Sequence, residues 1–328
     1  MRGKELTVVI PTQTTPGPGP LISVIVCTRN RAELLRRALA SVIDQEFPPA
    51  DYEVVVIDNG STDRTPEVAR QFQNKAVVRY LREEHLGLCI ARNTGWRAAS
   101  GHYIAFLDDD AIASPRWLAA IRDGFAAAPP MVGAIGGRVQ PIWEGSRPAW
   151  LADVIAGSLT IVDWGPSDKL INDIEFEWLV GANMAVPKSL LAEVGGFHPW
   201  LDRVGKNLLS SGDIFLQKEL MRRGYHCLYL PAMAIQHLVP PSRLNQRWFL
   251  RRFYWQGVSD AVMHLIEKTP SSAERLRLAV ARTASVLRSR HTIASLLFPA
   301  DRPDTFTAKC FALIEIGFIS GLLGAARH

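Results

Sequence analysis

Ile22-Ser-Val-Ile-Val-Cys-Thr-Arg-Asn30 decides how this chain is read. A β-branched, apolar run stops at a threonine, an arginine and an asparagine, and the period then changes. Leu34, Leu35, Ala38, Leu39, Val42 and Ile43 fall on one helical face, so a helix is expected to about Gln45, with Asn30 and Glu33 at capping-box spacing. A strand feeding a helix in this way is the start of a βαβ unit.

The alternation repeats outward from there. Glu53 to Ile57 reads as a second strand, and the polar turn Asp58-Asn-Gly-Ser-Thr-Asp63 leads into a helix through Pro66 and Val68 to Phe72. Val77 to Leu81 reads as a strand, Gly87 to Ala99 as a helix and His102 to Leu107 as a fourth strand. Ser114 and Pro115 fit the N-cap and first position of a further helix, and Met131 to Val139 reads as another strand. Residues 140–176 break the rhythm, with Trp143, Trp150 and Trp164 among prolines, and are expected to form loops or an excursion over a cleft. Strand Val180 to Val186, helices Pro187 to Val194 and Asp213 to Arg223, and strand His226 to Leu230 follow, and the chain from about Ser242 reads as helical and basic.

Composition bounds the class. With 48% hydrophobic and 21% charged residues over 328, neither disorder nor a multi-span membrane protein is indicated. The net charge of +5 is uneven: residues 201–328 hold 18 Lys and Arg against 9 Asp and Glu, leaving −4 for residues 1–200. Such a basic half suits anionic lipid or a phosphorylated acceptor, whereas nucleic acid is not expected because no nucleic-acid module accompanies the charge. Cys27, Cys89, Cys227 and Cys310 are widely spaced without a CxxC, which fits a reduced, cytoplasmic setting. Leu6 to Ile10 is too short for a signal h-region, and residues 1–20 read as a loose tail. Phe311 to Ala326, apolar apart from Glu315, falls short of the roughly 20 residues that span a bilayer.

Ligands of an open parallel sheet bind beyond the carboxyl ends of its strands. Those ends carry Thr28-Arg29-Asn30, Asp58-Asn59 and Asp108-Asp109-Asp110. Three adjacent carboxylates repel one another unless a cation or solvent relieves them, and hard Mg²⁺ or Mn²⁺ takes carboxylates together with diphosphate oxygens.

Ser23 to Asn30, Val56-Ile-Asp-Asn-Gly-Ser-Thr-Asp63, Ala91-Arg-Asn-Thr-Gly95 and Phe106-Leu-Asp-Asp-Asp110 together resemble the inverting family 2 glycosyltransferases of GT-A fold. Gly181-Ala-Asn-Met184 and Gly212-Asp213 through Leu220-Met-Arg-Arg-Gly-Tyr225 extend the likeness to about residue 240. The resemblance implies an α/β, Rossmann-like, mainly parallel sheet flanked by helices: a nucleotide-sugar-binding half over residues 21–139, an acceptor-binding half over 140–240 and a helical basic region over 241–328. It implies that Thr28 and Asp58 hold the base and Asp108 the ribose, that Arg29 and Asp109 also belong to the nucleotide-sugar site, and that Asp110 ligates Mn²⁺ or Mg²⁺. A carboxylate can accept the imide N–H of uracil, which favours a UDP-sugar. Arg92, on the helix after Gly87, meets base or phosphate as a fixed cation or else is a surface arginine.

The family's usual Glu-Asp pair is reduced here to Gly212-Asp213, so Asp213 alone is left as general base, or as an N-cap. His237 is a second metal ligand or a structural histidine, and Trp178 and Asn183 line the acceptor cleft or pack beside it. Arginines and aromatics interleave from Gln246 to Gly257, suiting a membrane-facing helix, a phosphate-lined mouth or ordinary packing. The reaction implied is an in-line displacement, inverting at the sugar, onto a carbohydrate or lipid-linked acceptor hydroxyl, for surface polysaccharide or glycolipid. Two rivals stand beside it. A nucleotidyltransferase needs a glycine-rich loop that Cys27-Thr-Arg-Asn-Arg31 lacks, and a catalytically silent nucleotide-sugar-binding or assembly protein is raised by Gly212.

Overall fold

A computed structural model describes residues 19–73, 78–203, 207–298 and 300–324. The expected tail except residues 19–20, together with Val77 and residues 325–326, lies outside the described residues.

The elements run β1 (Ile22–Thr28), α1 (Ala32–Ile43), β2 (Tyr52–Asp58), α2 (Thr65–Gln73), β3 (Val78–Arg82), α3 (Leu88–Ala98), β4 (Tyr103–Asp108), β5 (Ala111–Ala113), α4 (Trp117–Ala127) and β6 (Val132–Trp143). After β6 come α5 (Asp153–Ala156), β7 (Lys169–Ile171), β8 (Asn183–Pro187), α6 (Lys188–Val194), α7 (Gly212–Arg222) and β9 (His226–Val239). Four helices close the chain: α8 (Gln246–Lys268), α9 (Ser272–Arg288), α10 (Arg290–Leu297) and α11 (Pro303–Leu322).

One sheet orders the strands β3-β2-β1-β4-β8-β6-β9-β5, with β7 also on β9. Its first half is parallel throughout, and β2 is buried at every residue, as expected of a strand covered on both faces. The second half is mixed rather than parallel: β8 runs against β4 and β6, β6 and β9 are parallel, and β5 and β7 run against β9. Register brings the strand ends level, with Thr28 opposite Asp58 and Cys27 opposite Asp108.

Two helix starts differ from expectation because tertiary partners supply the caps. Asn30 adopts a left-handed φ of 53° and its Oδ1 accepts the Thr62 N–H at 2.7 Å, so it forms no box with Glu33. Thr65 Oγ1 and Asp63 Oδ2 accept the Arg31 and Ala32 N–H groups instead. Ser114 and Pro115 lie in a turn before α4, whose Leu118 N–H donates to Gln45 Oε1 at 2.9 Å.

Residues 140–176 are not loose. Trp150 packs edge-on against Phe249 and Phe306 at 5.1 and 4.7 Å between ring centroids, and Leu151, Ile155 and Leu159 join the same core. Part of this segment and part of α8 line one cleft. Helices α8 and α11 meet backbone to backbone: a methyl in place of a hydrogen on Gly257 would lie 1.9 Å from the Ile314 carbonyl oxygen, and one on Gly317 1.9 Å from that of Tyr254. The C-terminal apolar helix is also longer than expected. It begins at Pro303, and its 20 residues are long and apolar enough to cross a membrane, yet Phe306 and Cys310 are buried in the core that holds Phe249.

Candidate functional site

A cavity of about 980 Å³ opens at the carboxyl ends of β1 and β4 and extends to α7 and α8. Thr28, Arg29, Asn59, Arg92, Asp108, Asp109, Asp110, Trp178, Asp213 and His237 all line it. Residues from both halves of the chain therefore share one space.

The acidic triplet is placed by β4 and by the short antiparallel pairing of β5 with β9, which sets Ala111 opposite His237. The Leu238 N–H donates to the Asp110 carbonyl at 2.9 Å, fixing the register there. Asp108 accepts from Arg92 Nη2 at 3.0 Å, Asp109 from Arg31 Nη1 at 2.8 Å and Asp110 from the same Nη1 at 3.0 Å. Asp110 also lies 3.2 Å from His237 Nε2 and 3.4 Å from Arg243 Nη2. Every carboxylate of the triplet is thus relieved by a side-chain cation, so mutual repulsion by itself does not call for a metal. Burial pushes Asp109 up to about 6, against Arg31 and with the Asp110 charge adding, whereas His237 and Arg31 hold Asp110 well below the usual range although burial opposes them.

Asp110 and His237 nevertheless offer an oxygen and a nitrogen donor side by side. His237 is 1% exposed, and its Nδ1 is buried without a hydrogen-bond partner. No group of three or more potential ligands forms among the described residues, so a divalent ion at this pair would need diphosphate oxygens and water to complete its shell, as hard ions commonly do. The pair fits such an ion on those terms. Thr28 Oγ1 is a second buried polar atom without a partner, also at the cavity wall.

Two expected site residues do not reach the cavity. Asp58 is fully buried, its oxygens accepting the Ser61 N–H at 2.8 Å and the Tyr80 hydroxyl at 2.7 Å, and its neighbour Asn59 lines the cavity. Asn183 is a core residue rather than an acceptor contact. Its Oδ1 accepts from Trp117 Nε1 at 2.8 Å and its Nδ2 donates to the Met233 carbonyl at 2.7 Å, which spends the side chain inside the sheet.

Asp213 is not the N-cap of α7. Ser211 holds that place with a left-handed φ of 73°, and Asp213 sits in the first turn, where its Oδ2 accepts the Gly181 N–H at 2.7 Å and its Oδ1 the Ile214 N–H at 3.0 Å. The departure at Gly212 has a steric reason: a side chain there would begin 2.8 Å from Cys89 Sγ. Gly181 also lies against the other half of the site, since a methyl on it would fall 2.6 Å from Arg92 Nη1.

Several functional neighbours were not marked in the sequence. Asp202 accepts the Cys89 and Ile90 N–H groups at 3.0 and 3.1 Å and so caps α3, the helix that carries Arg92. Arg31, Arg203, Arg243 and Arg252 come from four separate segments, and only the last fell in a stretch the sequence singled out, the arginines and aromatics that interleave from Gln246 to Gly257. The cysteines are spectators: burial pushes the Cys27 thiol at the cavity wall up to about 12.

Comparison with known proteins bears on this arrangement. The family description "Glycosyl transferase family 2" matches residues 23–174, and "Glycosyl transferase family group 2" matches residues 103–321. The glucosyl-dolichyl phosphate glucuronosyltransferase of Haloferax volcanii is 26% identical over 249 residues, which cover 75% of this chain and 78% of that protein. The validoxylamine A glucosyltransferase of Streptomyces hygroscopicus subsp. limoneus is 37% identical over 131 residues, covering 38% of this chain and 29% of the relative. Among solved structures, the mannosyltransferase PcManGT from Pyrobaculum calidifontis, in complex with GDP-Man and Mn²⁺, aligns with a TM-score of 0.59 at 21% identity over 96% of this chain and 91% of its own. S. aureus TarS residues 1–349 in complex with UDP-GlcNAc align at 0.57 and 16% identity, over 92% and 89%. These likenesses show the GT-A fold.

Proposed function

The chain belongs to the family 2 glycosyltransferases, and from that premise we propose that it transfers a sugar, with inversion, from a nucleoside-diphosphate sugar to an acceptor hydroxyl in the synthesis of a surface polysaccharide or glycolipid. The observation that carries this reading is the single cavity joining the ends of β1 and β4 to Asp213.

In this reading Thr28, Arg29, Asn59 and Asp108 receive the nucleoside, with UDP as the favoured diphosphate, and Arg92 fixes Asp108 through their 3.0 Å ion pair. Asp110 and His237 would hold Mn²⁺ or Mg²⁺, which would supply positive charge toward the diphosphate leaving group. Asp213 takes the proton of the acceptor hydroxyl as it attacks the anomeric carbon, and its two backbone hydrogen bonds keep the carboxylate oriented. Trp178 offers an apolar face to the acceptor. Gly212 favours a second reading, a silent nucleotide-sugar-binding protein. Incubation with a panel of UDP- and GDP-sugars, Mn²⁺ and mixed acceptors separates the two: nucleotide-sugar binding with neither transfer nor nucleotide release would overturn the catalytic reading.

A cytoplasmic enzyme with peripheral membrane contact completes the reading. Leu276, Val280 and Leu287 are exposed along one side of α9, with exposed Arg277, Arg288 and Arg290 beside them, the composition of a helix that lies in an anionic bilayer surface.

A further inference from the structure

The segment that carries Asp213 into the cavity is held from outside. Ser211, which opens α7, has a left-handed φ of 73°, a conformation that a residue with a side chain keeps only when its surroundings impose it. Its carbonyl accepts the Phe215 N–H at 2.8 Å, but its hydroxyl makes no capping bond to the helix. That hydroxyl accepts instead from Nε2 of Gln256 on α8, at 3.0 Å.

Gln256 is saturated by bonds of this kind. Its Oε1 accepts from Arg252 Nη1 at 3.0 Å and from Ser210 Oγ at 3.2 Å, and its Nε2 donates a second time, to Asp260 Oδ1 at 2.9 Å. A primary amide has two N–H donors and two acceptor lone pairs, so none is left for a ligand although the side chain lines the cavity. Arg252 settles which way the amide points. A guanidinium only donates, so the oxygen faces Arg252 and the NH₂ faces Ser211 and Asp260. A second tie comes from Ser259, fully buried and three residues further along α8, which accepts the Ser210 N–H at 3.0 Å and donates to the Trp255 carbonyl at 2.8 Å.

The helix on the far side of these bonds is fixed. Gly257, next to Gln256, meets the α11 backbone, and Phe249, Val258 and Ala261 of α8 are fully buried. The contacts of Asp213 are fewer: its carboxylate reaches the Gly181 N–H at 2.7 Å only while the first turn of α7 keeps its direction, and Ser210 and Ser211 set that direction.

We propose that Gln256 is a positioning residue for Asp213: by holding Ser210 and Ser211 against α8 it keeps the entry of α7 in the conformation that turns the Asp213 carboxylate to Gly181 and into the cavity. The catalytic consequence rests on the reading of Asp213 as general base, whereas the holding itself is measurable without turnover.

Hydrogen exchange on the full chain, read at the Gly181 amide with the amides of β2 as reference, tests the holding, and initial rates of nucleoside diphosphate release test its consequence. In Gln256→Leu the Gly181 amide should exchange at least about tenfold faster relative to β2, because a local opening is released and not the whole fold. The kcat should fall about 10–100-fold, with UDP affinity and the KM values for donor and acceptor within about twofold. Ser211→Ala removes a single one of these bonds and leaves α8 unaltered. It should show the same pattern at about threefold, which keeps the test decisive if the leucine variant does not fold. On an Asp213→Asn background, Gln256→Leu should lower the residual transfer by no more than about twofold, since its effect runs through the carboxylate. An unaltered Gly181 rate would show that Asp213 keeps its place without Gln256, and equal acceleration at Gly181 and β2 would make Gln256 a general stabiliser. Either result overturns the proposal, as does a raised acceptor KM at unchanged kcat or a full second loss on top of Asp213→Asn. Near-normal transfer in Asp213→Asn itself would count against the base reading, and the Gly181 rate would still decide what holds the carboxylate.

Discussion

Replacing Asp213 with asparagine separates a catalytic carboxylate from a structural one, because the two roles lose different amounts of free energy. The carboxylate accepts two backbone N–H groups, from Gly181 at 2.7 Å and from Ile214 at 3.0 Å. Asparagine has one carbonyl oxygen, so it keeps the Gly181 bond by turning its amide away and then presents NH₂ to the Ile214 N–H. One charge-assisted bond and the favourable meeting of an anion with the first turn of α7 are lost, together about 1–2 kcal/mol, or a fall of a few degrees in melting temperature for a chain of this size. Loss of a general base costs more: transfer should fall by about 10²–10⁴-fold, which is about 3–5 kcal/mol on the barrier. Initial rates of nucleoside diphosphate release, nucleotide affinity by calorimetry and a melting curve on the same preparation give all three quantities. A variant that melts a few degrees lower but transfers within about tenfold of the unaltered protein would show that Asp213 is a clamp between α7 and the Gly181 backbone, and would refute its assignment as base.

Asp110→Ala should abolish the Mn²⁺-dependent part of UDP binding in calorimetry, and an affinity equal to that of the unaltered protein would rule out Asp110 as a metal ligand. Gly181→Ala pushes a methyl to 2.6 Å from Arg92 Nη1, so the guanidinium must shift and its ion pair with Asp108 is disturbed; we expect about 1–3 kcal/mol lower stability and a raised KM for the donor, and unchanged kinetics would refute the coupling. Burial pushes Asp260 up to about 6, so the folded state favours its proton and this residue's own contribution to stability falls as pH rises from about 4 to about 6. Asp260→Asn should therefore make the slope of chemical-denaturation stability over that window more positive, with a gain of at most about 3 kcal/mol above it, whereas an unaltered slope would deny the shift. Flotation should recover the protein with anionic vesicles more than with neutral ones and less at high salt, and recovery indifferent to both would remove the electrostatic contact of α9.

The parallel half of the fold was legible because its signals are local. A β-branched run such as Val54-Val-Val56 and a stripe such as Leu35, Leu39 and Val42 specify strand and helix without outside help, and both are fully buried. Strand ends were legible for the same reason, and with them Thr28, Asp108, Asp109 and Asp110. Features settled by distant partners were not. Gln45 caps α4 across 73 positions, Asp202 caps α3 across 113, and neither distance leaves a mark on a window of sequence. Asn183 failed as a cleft residue because its register on β8 turns it inward to Trp117, and a one-residue change in strand start decides such a facing. The arginines of the cavity wall were least legible of all: Arg203 and Arg252 are separated by α7, β9 and the start of α8, and only the fold brings them to one wall.

Gly181 shows why the two halves of the cavity act as one site. Its N–H is held by Asp213, and the space where a side chain would stand is taken by Arg92, whose guanidinium holds Asp108 and stacks over Phe197 at 5.3 Å. One backbone position therefore sets the spacing between the residue assigned to the acceptor proton and the ion pair assigned to the donor ribose. Proximity of this kind is where much of an enzyme's rate arises, since reacting groups must be held within a few tenths of an ångström of a productive approach. It also accounts for the tolerance of glycine at position 212. With Asp213 oriented by Gly181 and Ile214 and with Cys89 filling the neighbouring space, the carboxylate does not depend on an adjacent glutamate for its placement.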